Sequence, residues 1–510
     1  MARARLVLVR LLGGRGSWSY GLERLLVWSR GGGRHLLVMD GAGPDPHLES
    51  LSTTTPAYTG KVAAALAMGG PCNMAAVLSS LEWLVGEGRE TAPTPVPIED
   101  PLLHDWRDEG GTPVGVLFYR ALAQCGDLAV VDGLIAALRG QGLAPKALLV
   151  SGLRQAPLQD AVQRLWRREA VAAVVCGTGF ATVDLSLAEA GAPLWDSLAV
   201  PVLQLICSSQ SREHWLRSSV GLGPVDLTMQ VALPELDGRL LGRVVGFREL
   251  QGEDSRLQTA LHRSVPDQQR LHWTARHLHS WINLRRTPRQ RRRIALVLAN
   301  YPSRNARLAN GVGLDTPASA AAVLGWLRQA GYGLGADLPA DGDELINALL
   351  RGQTNDPESH QLRPLTHLPL QAYLRWYNAL SPGFRAGLER HWGAAEQDRE
   401  LEPEGFPIRG LRFAEVVLLL QPSRGYERDP ALSYHSPDLP PTHHYLATYH
   451  WLQRSFGAHA VVHLGKHGNL EWLPGKGVGL SCDCGPDVVL QPLPHLYPFI
   501  VNDPGEGTQA

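Results

Sequence analysis

Cysteine is scarce in this chain, with six among 510 residues, and Cys72, Cys125, Cys176 and Cys207 stand singly. Cys176 and Cys207 close apolar runs and read as buried thiols. Only Cys482 and Cys484 are near neighbours, as C-D-C. This excludes a disulfide framework and a paired C-x-x-C zinc site, and it points to a reducing cytoplasm. An excess of either charge is lacking too. Lys+Arg number 48 against Asp+Glu 49, so nothing calls for nucleic acid or an anionic membrane as partner. No uncharged apolar run reaches the roughly 18 residues of a membrane span. The N-terminal LVLVRLLGG is broken by Arg10 and followed by no small-residue cleavage site, so it reads as a first β-strand and not a signal peptide. Several catalytic and phosphate-binding signatures are also missing. Gly60-Lys61, Gly465-Lys466 and Gly475-Lys476 lack the first glycine and the Ser/Thr of a Walker loop. No G-x-G-x-x-G, H-E-x-x-H or G-x-S-x-G occurs, and Gly177-Thr178-Gly179 reads as a βα turn. Any ATP the protein depends on is expected on a partner.

What is present is a long chain of 44% hydrophobic and 19% charged residues, a globular composition that calls for several domains. The expected class is α/β and multidomain, with flavodoxin-like parallel-sheet layers and helix-rich insertions. Residues 1–90 read as an N-terminal α/β domain, with strands at RLVLV and HLLVMD and helix in KVAAALAMGGPCNMAAVLSSLEWLVG. Residues 91–113, rich in Pro, Gly and acid, read as a linker. From 114 to 293, VGVLFY, KALLVSG, AVAAVVCG and VPVLQLICS alternate with amphipathic helical stretches, the pattern of a parallel sheet covered on both faces. Within it, 251–293 looks mostly helical and ends in RRTPRQRRR, read as a solvated helix end, since the chain has no other basic excess to support a nucleic-acid patch. Residues 294–510 form a second α/β region with strands at IALVLANY, AEVVLLLQ and HAVVHLG and a helix-rich stretch at 317–395.

The most informative stretch is 442–476. Six of the 19 histidines, His443, His444, His450, His459, His463 and His467, lie within it, followed by Glu471. Thr442, after two prolines, is placed to cap a helix. Ala460-Val461-Val462 reads as a buried strand. His463 therefore sits at a strand's C-terminal end, where open α/β sheets place their sites. His463, His467 and Glu471 are spaced by four, but Gly465 and Gly468 argue against a helix. A glycine-rich loop holding two imidazoles and a carboxylate around a cleft is expected instead. Such ligands suit a borderline divalent metal such as cobalt(II).

HLGKHGNLEWLPGKGVGLS, 463–481, resembles the signature of the large subunits of cobaltochelatase and magnesium chelatase. NYPSRNARLANGVGLDTPAS (300–319), QPSRGYERDPALSYHSPDLPPTHHYLATYHWL (421–452) and YPFIVNDPGEGTQA (497–510) agree, in order along the chain. The R-L-A-N-G-V-G-L-D-T-P and G-K-H-G-N-L-E-W-L-P-G-K forms resemble the cobalt branch, the CobN family, more than the magnesium branch. Family members continue well beyond the block that ends at Ala510, so the chain is expected to be an N-terminal fragment or half of a split subunit, inactive alone.

The resemblance implies insertion of cobalt(II), as substrate metal, into hydrogenobyrinate a,c-diamide, a corrinoid precursor of cobalamin. No cofactor is expected to be permanently bound. ATP, with Mg2+, is expected on partners: an AAA+ ATPase subunit and a second smaller chelatase subunit, besides the missing C-terminal half. By the same resemblance, Glu471 is the expected proton acceptor or metal-delivery carboxylate. His463 and His467 are expected as transient metal ligands or proton relays. Trp472 either walls the ring or is a core tryptophan. Lys466, Lys476 and Arg304 either bind substrate carboxylates or are solvated surface charges. Asn310 and Asp315 are weaker substrate-binding candidates, and Cys482 and Cys484 either bind metal or, as the preferred reading of two thiolates without neighbouring ligands, are structural. The competing readings are a magnesium chelatase large subunit acting on protoporphyrin, a non-catalytic tetrapyrrole-binding fragment, and a stand-alone metallohydrolase.

Overall fold

The computed structural model describes residues 4–41, 43–183, 193–300, 304–311, 313–425, 436–465 and 469–498. Sixteen strands lie among them. In chain order they are β1 (Leu6–Leu11), β2 (His35–Asp40), β3 (Leu102–His104), β4 (Thr112–Tyr119), β5 (Leu143–Val150), β6 (Val174–Cys176), β7 (Val202–Ser208) and β8 (Leu240–Asp254), and then β9 (Thr259–Pro266), β10 (Ile294–Leu298), β11 (Thr366–Leu368), β12 (Phe406–Ile408), β13 (Gly410–Phe413), β14 (Val416–Leu420), β15 (Ala460–Leu464) and β16 (His495–Leu496). The class is α/β with parallel-rich sheets. Strands β6, β7 and β8 pair in parallel, and β9 pairs antiparallel with β8.

The chain divides into two compact units, 1–108 with 116–132 and 146–169, and 109–115 with 133–145 and 170–510. In the first unit, β1 and β2 pair in parallel. The apolar run expected as helix near 61–86 is two helices, Pro56–Met68 and Gly70–Glu87. They part at Gly69, whose φ of 67° is open to glycine and costly for other residues. The stretch read as a linker contains β3, which pairs antiparallel with β5.

In the second unit, β8 and β9 form a long antiparallel hairpin that reaches Pro266. This corrects the helical reading of 251–293, since helix begins only at Gln268 and ends at Arg286. The hairpin's outer half is exposed on both faces, so its sequence carries neither the apolar run nor the alternation that marks a buried strand. The arginines that follow serve as a helix end: Arg285 bonds the Ala199 carbonyl and Arg292 those of Thr287 and Arg285.

The five-stranded sheet, ordered β13-β14-β10-β15-β16, carries the histidine-rich segment. Strands β14, β10, β15 and β16 are parallel, and β13 is antiparallel at the edge. Both faces are covered, which is why β10 and β14 are unbroken apolar runs, IALVL and VVLLL, buried at every position. Alternate residues serve opposite cores. Ala295, Val297, Val417, Leu419 and Val461 pack with Tyr373, Tyr377, Tyr445 and Tyr449 on one face. Ile294, Leu296, Leu298, Leu418 and Leu464 pack with Ala320, Leu324 and Leu345 on the other. Each buried Val, Leu or Ile contributes about 1.5–3 kcal/mol, so both faces of the sheet stabilise the strands. Among the described residues no helix is long and apolar enough to cross a membrane.

Candidate active site at the carboxyl edge of the five-stranded sheet

Leu298, Leu420 and Leu464 lie side by side in register, so β10, β14 and β15 end together. The chain just beyond stays tied across the edge. Ala299 donates its N–H to the Leu464 carbonyl at 3.0 Å, and Gln421 donates to Leu298 at 2.9 Å. Gly465 follows β15 because the backbones converge there: a Cβ on it would stand 2.5 Å from the Cβ of Ala299.

His463 is the penultimate residue of β15 and shares a face with Val461. That face packs against helix His443–Trp451, whose Tyr449 hydroxyl lies 2.6 Å from His463 Nε2. The other ring nitrogen, Nδ1, lies 2.5 Å from His495 Nε2 on β16. Burial, reinforced by the neighbouring His495, holds His463 well below the usual imidazole range. Burial also lowers His495 to about 4. Both shifts favour the neutral form of the rings at pH 7.

Around this pair lies a satisfied polar network. Gln421 donates from Nε2 to the hydroxyls of Tyr449 at 3.2 Å and Tyr445 at 3.4 Å, while its Oε1 accepts from the Asn469 backbone at 3.2 Å. Tyr445 donates to Asn469 Oδ1 at 2.9 Å. Asn469 is thereby pinned over the end of β14, two residues before Glu471. The Glu471 carboxylate accepts from the Tyr497 hydroxyl, at 3.0 Å to Oε2 and 3.3 Å to Oε1. The Tyr497 ring in turn lies 5.3 Å from that of His463 and 5.5 Å from that of His495. Burial raises the Tyr445 and Tyr449 hydroxyls above the usual phenol range, so both remain protonated donors.

The structure thus brings His463 and Glu471 to one place, linked through Tyr497. Lys466 and His467 lie outside the described residues. Trp472 follows Glu471 in the same turn and is half-buried. The remaining expected positions have other partners. Lys476 directs its ammonium to the carbonyls of Leu216 and Ser218, at 3.1 and 2.6 Å, over the Trp215 ring. Asp315 caps helix Thr316–Gln329 by accepting from Ala318 N–H at 2.9 Å. Arg304 is exposed, 3.9 Å from Asp356, and Asn310 is exposed in the same loop. Cys484 is buried and accepts from the N–H groups of Lys476 and Ser481, at 3.3 Å each, which is a structural use of the thiol.

The other histidines of the run are packing residues. His443 lies 2.8 Å from the Tyr373 hydroxyl and 3.1 Å from the Gly393 carbonyl. His444 bonds the Pro407 carbonyl at 2.8 Å, His450 stacks on Trp376, and His459 accepts from the Arg293 N–H. Six contributors to the site were not singled out from sequence: Gln421, Tyr445, Tyr449, Asn469, His495 and Tyr497. The Tyr445/Tyr449 pair, four apart on one helix, carried a readable signal. For His495 and Tyr497 the strand is two residues long, too short for any periodicity. Asn300, just past β10, was also unremarked. Its Oδ1 accepts from Ala309 N–H, and its buried Nδ2 has no partner among the described residues.

Imidazole and carboxylate groups could hold a divalent metal. Among the described residues, though, the trio whose ligand atoms lie within 4.8 Å of one another is His367, Glu402 and Glu404, and His367 already bonds Glu402 at 2.7 Å.

The chain is 41% identical over 524 residues to the aerobic cobaltochelatase subunit CobN of Pseudomonas aeruginosa, covering 100% of this chain and 42% of that protein. It is 29% identical over 412 residues to the chloroplastic magnesium-chelatase subunit ChlH of Oryza sativa, covering 79% of this chain and 28% of that one. The solved catalytic subunit of cobaltochelatase from Mycobacterium tuberculosis superimposes with a TM-score of 0.75 at 35% identity, over 100% of this chain and 43% of that subunit. The chain therefore spans about four-tenths of the length of its cobaltochelatase relatives. Residues 64–510 match the CobN/Magnesium Chelatase family, and the chain belongs to that family.

Proposed function

We propose that this chain forms part of the large, macrocycle-binding subunit of an ATP-dependent cobaltochelatase, which inserts cobalt(II) into hydrogenobyrinate a,c-diamide. The observation that carries the reading is the position of Glu471. Its carboxylate accepts from the Tyr497 hydroxyl, whose ring rests against His463 and His495 at the carboxyl edge of the sheet, and it stands within 463–481, the block that resembles the family signature. As cobalt enters, the ring nitrogens lose protons, and Glu471 is the group we assign to accept one. Both nitrogens of His463 already have partners within the protein. We therefore assign His463 to hold His495 and Tyr449 behind the carboxylate, and leave transient metal contact to Glu471 and His467. The preference for cobalt over magnesium follows the higher identity and fuller coverage of the cobalt-type relative. Nucleotide and its Mg2+ are assigned to partner subunits, one of them an AAA+ ATPase.

The test uses the full-length large subunit assembled with its ATPase partners. Hydrogenobyrinate a,c-diamide and protoporphyrin are titrated in parallel, and insertion is followed by the absorbance of the metallated ring. The expected result is selective binding of the hydrogenobyrinate and cobalt insertion that depends on ATP. Tighter protoporphyrin binding with magnesium insertion would overturn the cobalt reading. Ring binding without insertion of either metal would favour a non-catalytic tetrapyrrole-binding protein.

A further inference from the structure

Glu471 lies in a turn, outside any helix or strand, so its backbone alone does not aim its carboxylate. One contact that aims it comes from Tyr497, two positions beyond His495. Tyr497 is presented by β16, whose residues His495 and Leu496 pair with Val461 and Val462 of β15. That pairing sets Tyr497 beside the end of β15, with its ring against His463 and His495 and its hydroxyl bridging both oxygens of Glu471. A bifurcated bond from a phenol held on two sides fixes the carboxylate in direction as well as distance.

We propose that Tyr497 is a positioning residue for metal insertion, holding Glu471 in the orientation from which it takes the ring proton. The inference rests on the reading of Glu471 given above. Tyr497 is not assigned contact with the macrocycle or the metal. The imidazole pair has a supporting part: with His463 bonded to Tyr449 and His495 bonded to His463, the wall against which the Tyr497 ring rests is anchored to helix His443–Trp451.

The experiment compares Tyr497→Phe, Tyr497→Leu and Glu471→Gln in the full-length subunit assembled with its partners. It measures kcat and macrocycle KM for insertion, and Tm of the large subunit. The phenylalanine variant keeps the ring and removes only the hydroxyl. The expected result is a kcat lowered about tenfold or more for Tyr497→Phe, with macrocycle KM within about twofold of the parent and Tm unchanged, since an interaction aimed at the reacting carboxylate is lost. Tyr497→Leu is expected to lose at least as much kcat and, with the ring gone, to lower Tm as well. A purely structural ring predicts the reverse for phenylalanine. If Tyr497→Phe keeps the parent kcat while Glu471→Gln is inactive, the positioning role is overturned and the reading of Glu471 stands. If Glu471→Gln itself retains the parent rate, that reading fails, and with it the target of Tyr497.

Discussion

Two histidine-bearing regions of this protein lie within 20 residues of each other and do opposite things. On helix His443–Trp451, His443, His444 and His450 are enclosed by Tyr373, Phe406, Trp376 and backbone carbonyls. Their imidazoles act as polar aromatic filler: His443 and His444 bond core carbonyls, and His450 stacks on Trp376. At the end of β15, His463 is as deeply buried, but it belongs to a chain of contacts that runs through His495 and Tyr497 to a half-buried carboxylate. Burial and lowered pKa are shared by both regions, so neither distinguishes a site from a core. What distinguishes them is where the contacts lead: inward to carbonyls in one case, outward to an acid at a sheet's carboxyl edge in the other.

Acid is expected to produce the largest effect. Burial lowers His277 to about 3 and His450 and His495 to about 4, and it lowers His443, His444 and His463 as well. Each unfolded histidine titrates near 6.5, so between that pH and 4 the unfolded chain binds more protons than the folded one. The stability these groups allow is fully present above about pH 6.5 and is lost as pH falls towards 4. Tm measured across this window should drop steeply, and a flat profile would contradict the burial of both histidine sets. The comparison is sharpened by His450→Phe. His450 stacks on Trp376, and its Nδ1 has no partner among the described residues, so phenylalanine should keep the stack and flatten part of the acid slope. Ring binding should not change.

A smaller effect is expected at Asp315. Its carboxylate caps helix Thr316–Gln329, so Asp315→Ala should cost about 1 kcal/mol of stability, measured by denaturant unfolding. Macrocycle affinity should be unaltered. A large loss of affinity with unchanged stability would return Asp315 to the substrate site.

The sheets were legible in the sequence because β10, β14 and β15 are short apolar runs covered on both faces, and because His463 falls one residue before the end of such a run. Glu471 was singled out through the sequence block around it, and the structure sets its carboxylate against Tyr497. The hairpin β8–β9 was not, since an exposed polar ribbon has no burial pattern to read. His495 and Tyr497 were missed for a different reason. They reach the site only because β16 pairs with β15 across the sheet edge, a contact between residues more than 30 apart that no local pattern announces. Sequence shows that the imidazoles of the histidine run are close in the chain, and only packing shows which face each one takes.

The most direct test sets one residue from each region against the other in the assembled, full-length complex. His444→Ala removes a buried imidazole bonded to Pro407, and Glu471→Gln changes one atom of a half-buried side chain. Tm and cobalt insertion per folded molecule are measured for both. The account predicts that His444→Ala destabilises by about 2–4 kcal/mol yet inserts metal at the parent rate per folded molecule. It predicts that Glu471→Gln keeps the parent Tm and macrocycle affinity and loses insertion by about 100-fold or more. Insertion at the parent rate by Glu471→Gln, or a lost rate with intact stability in His444→Ala, would contradict it.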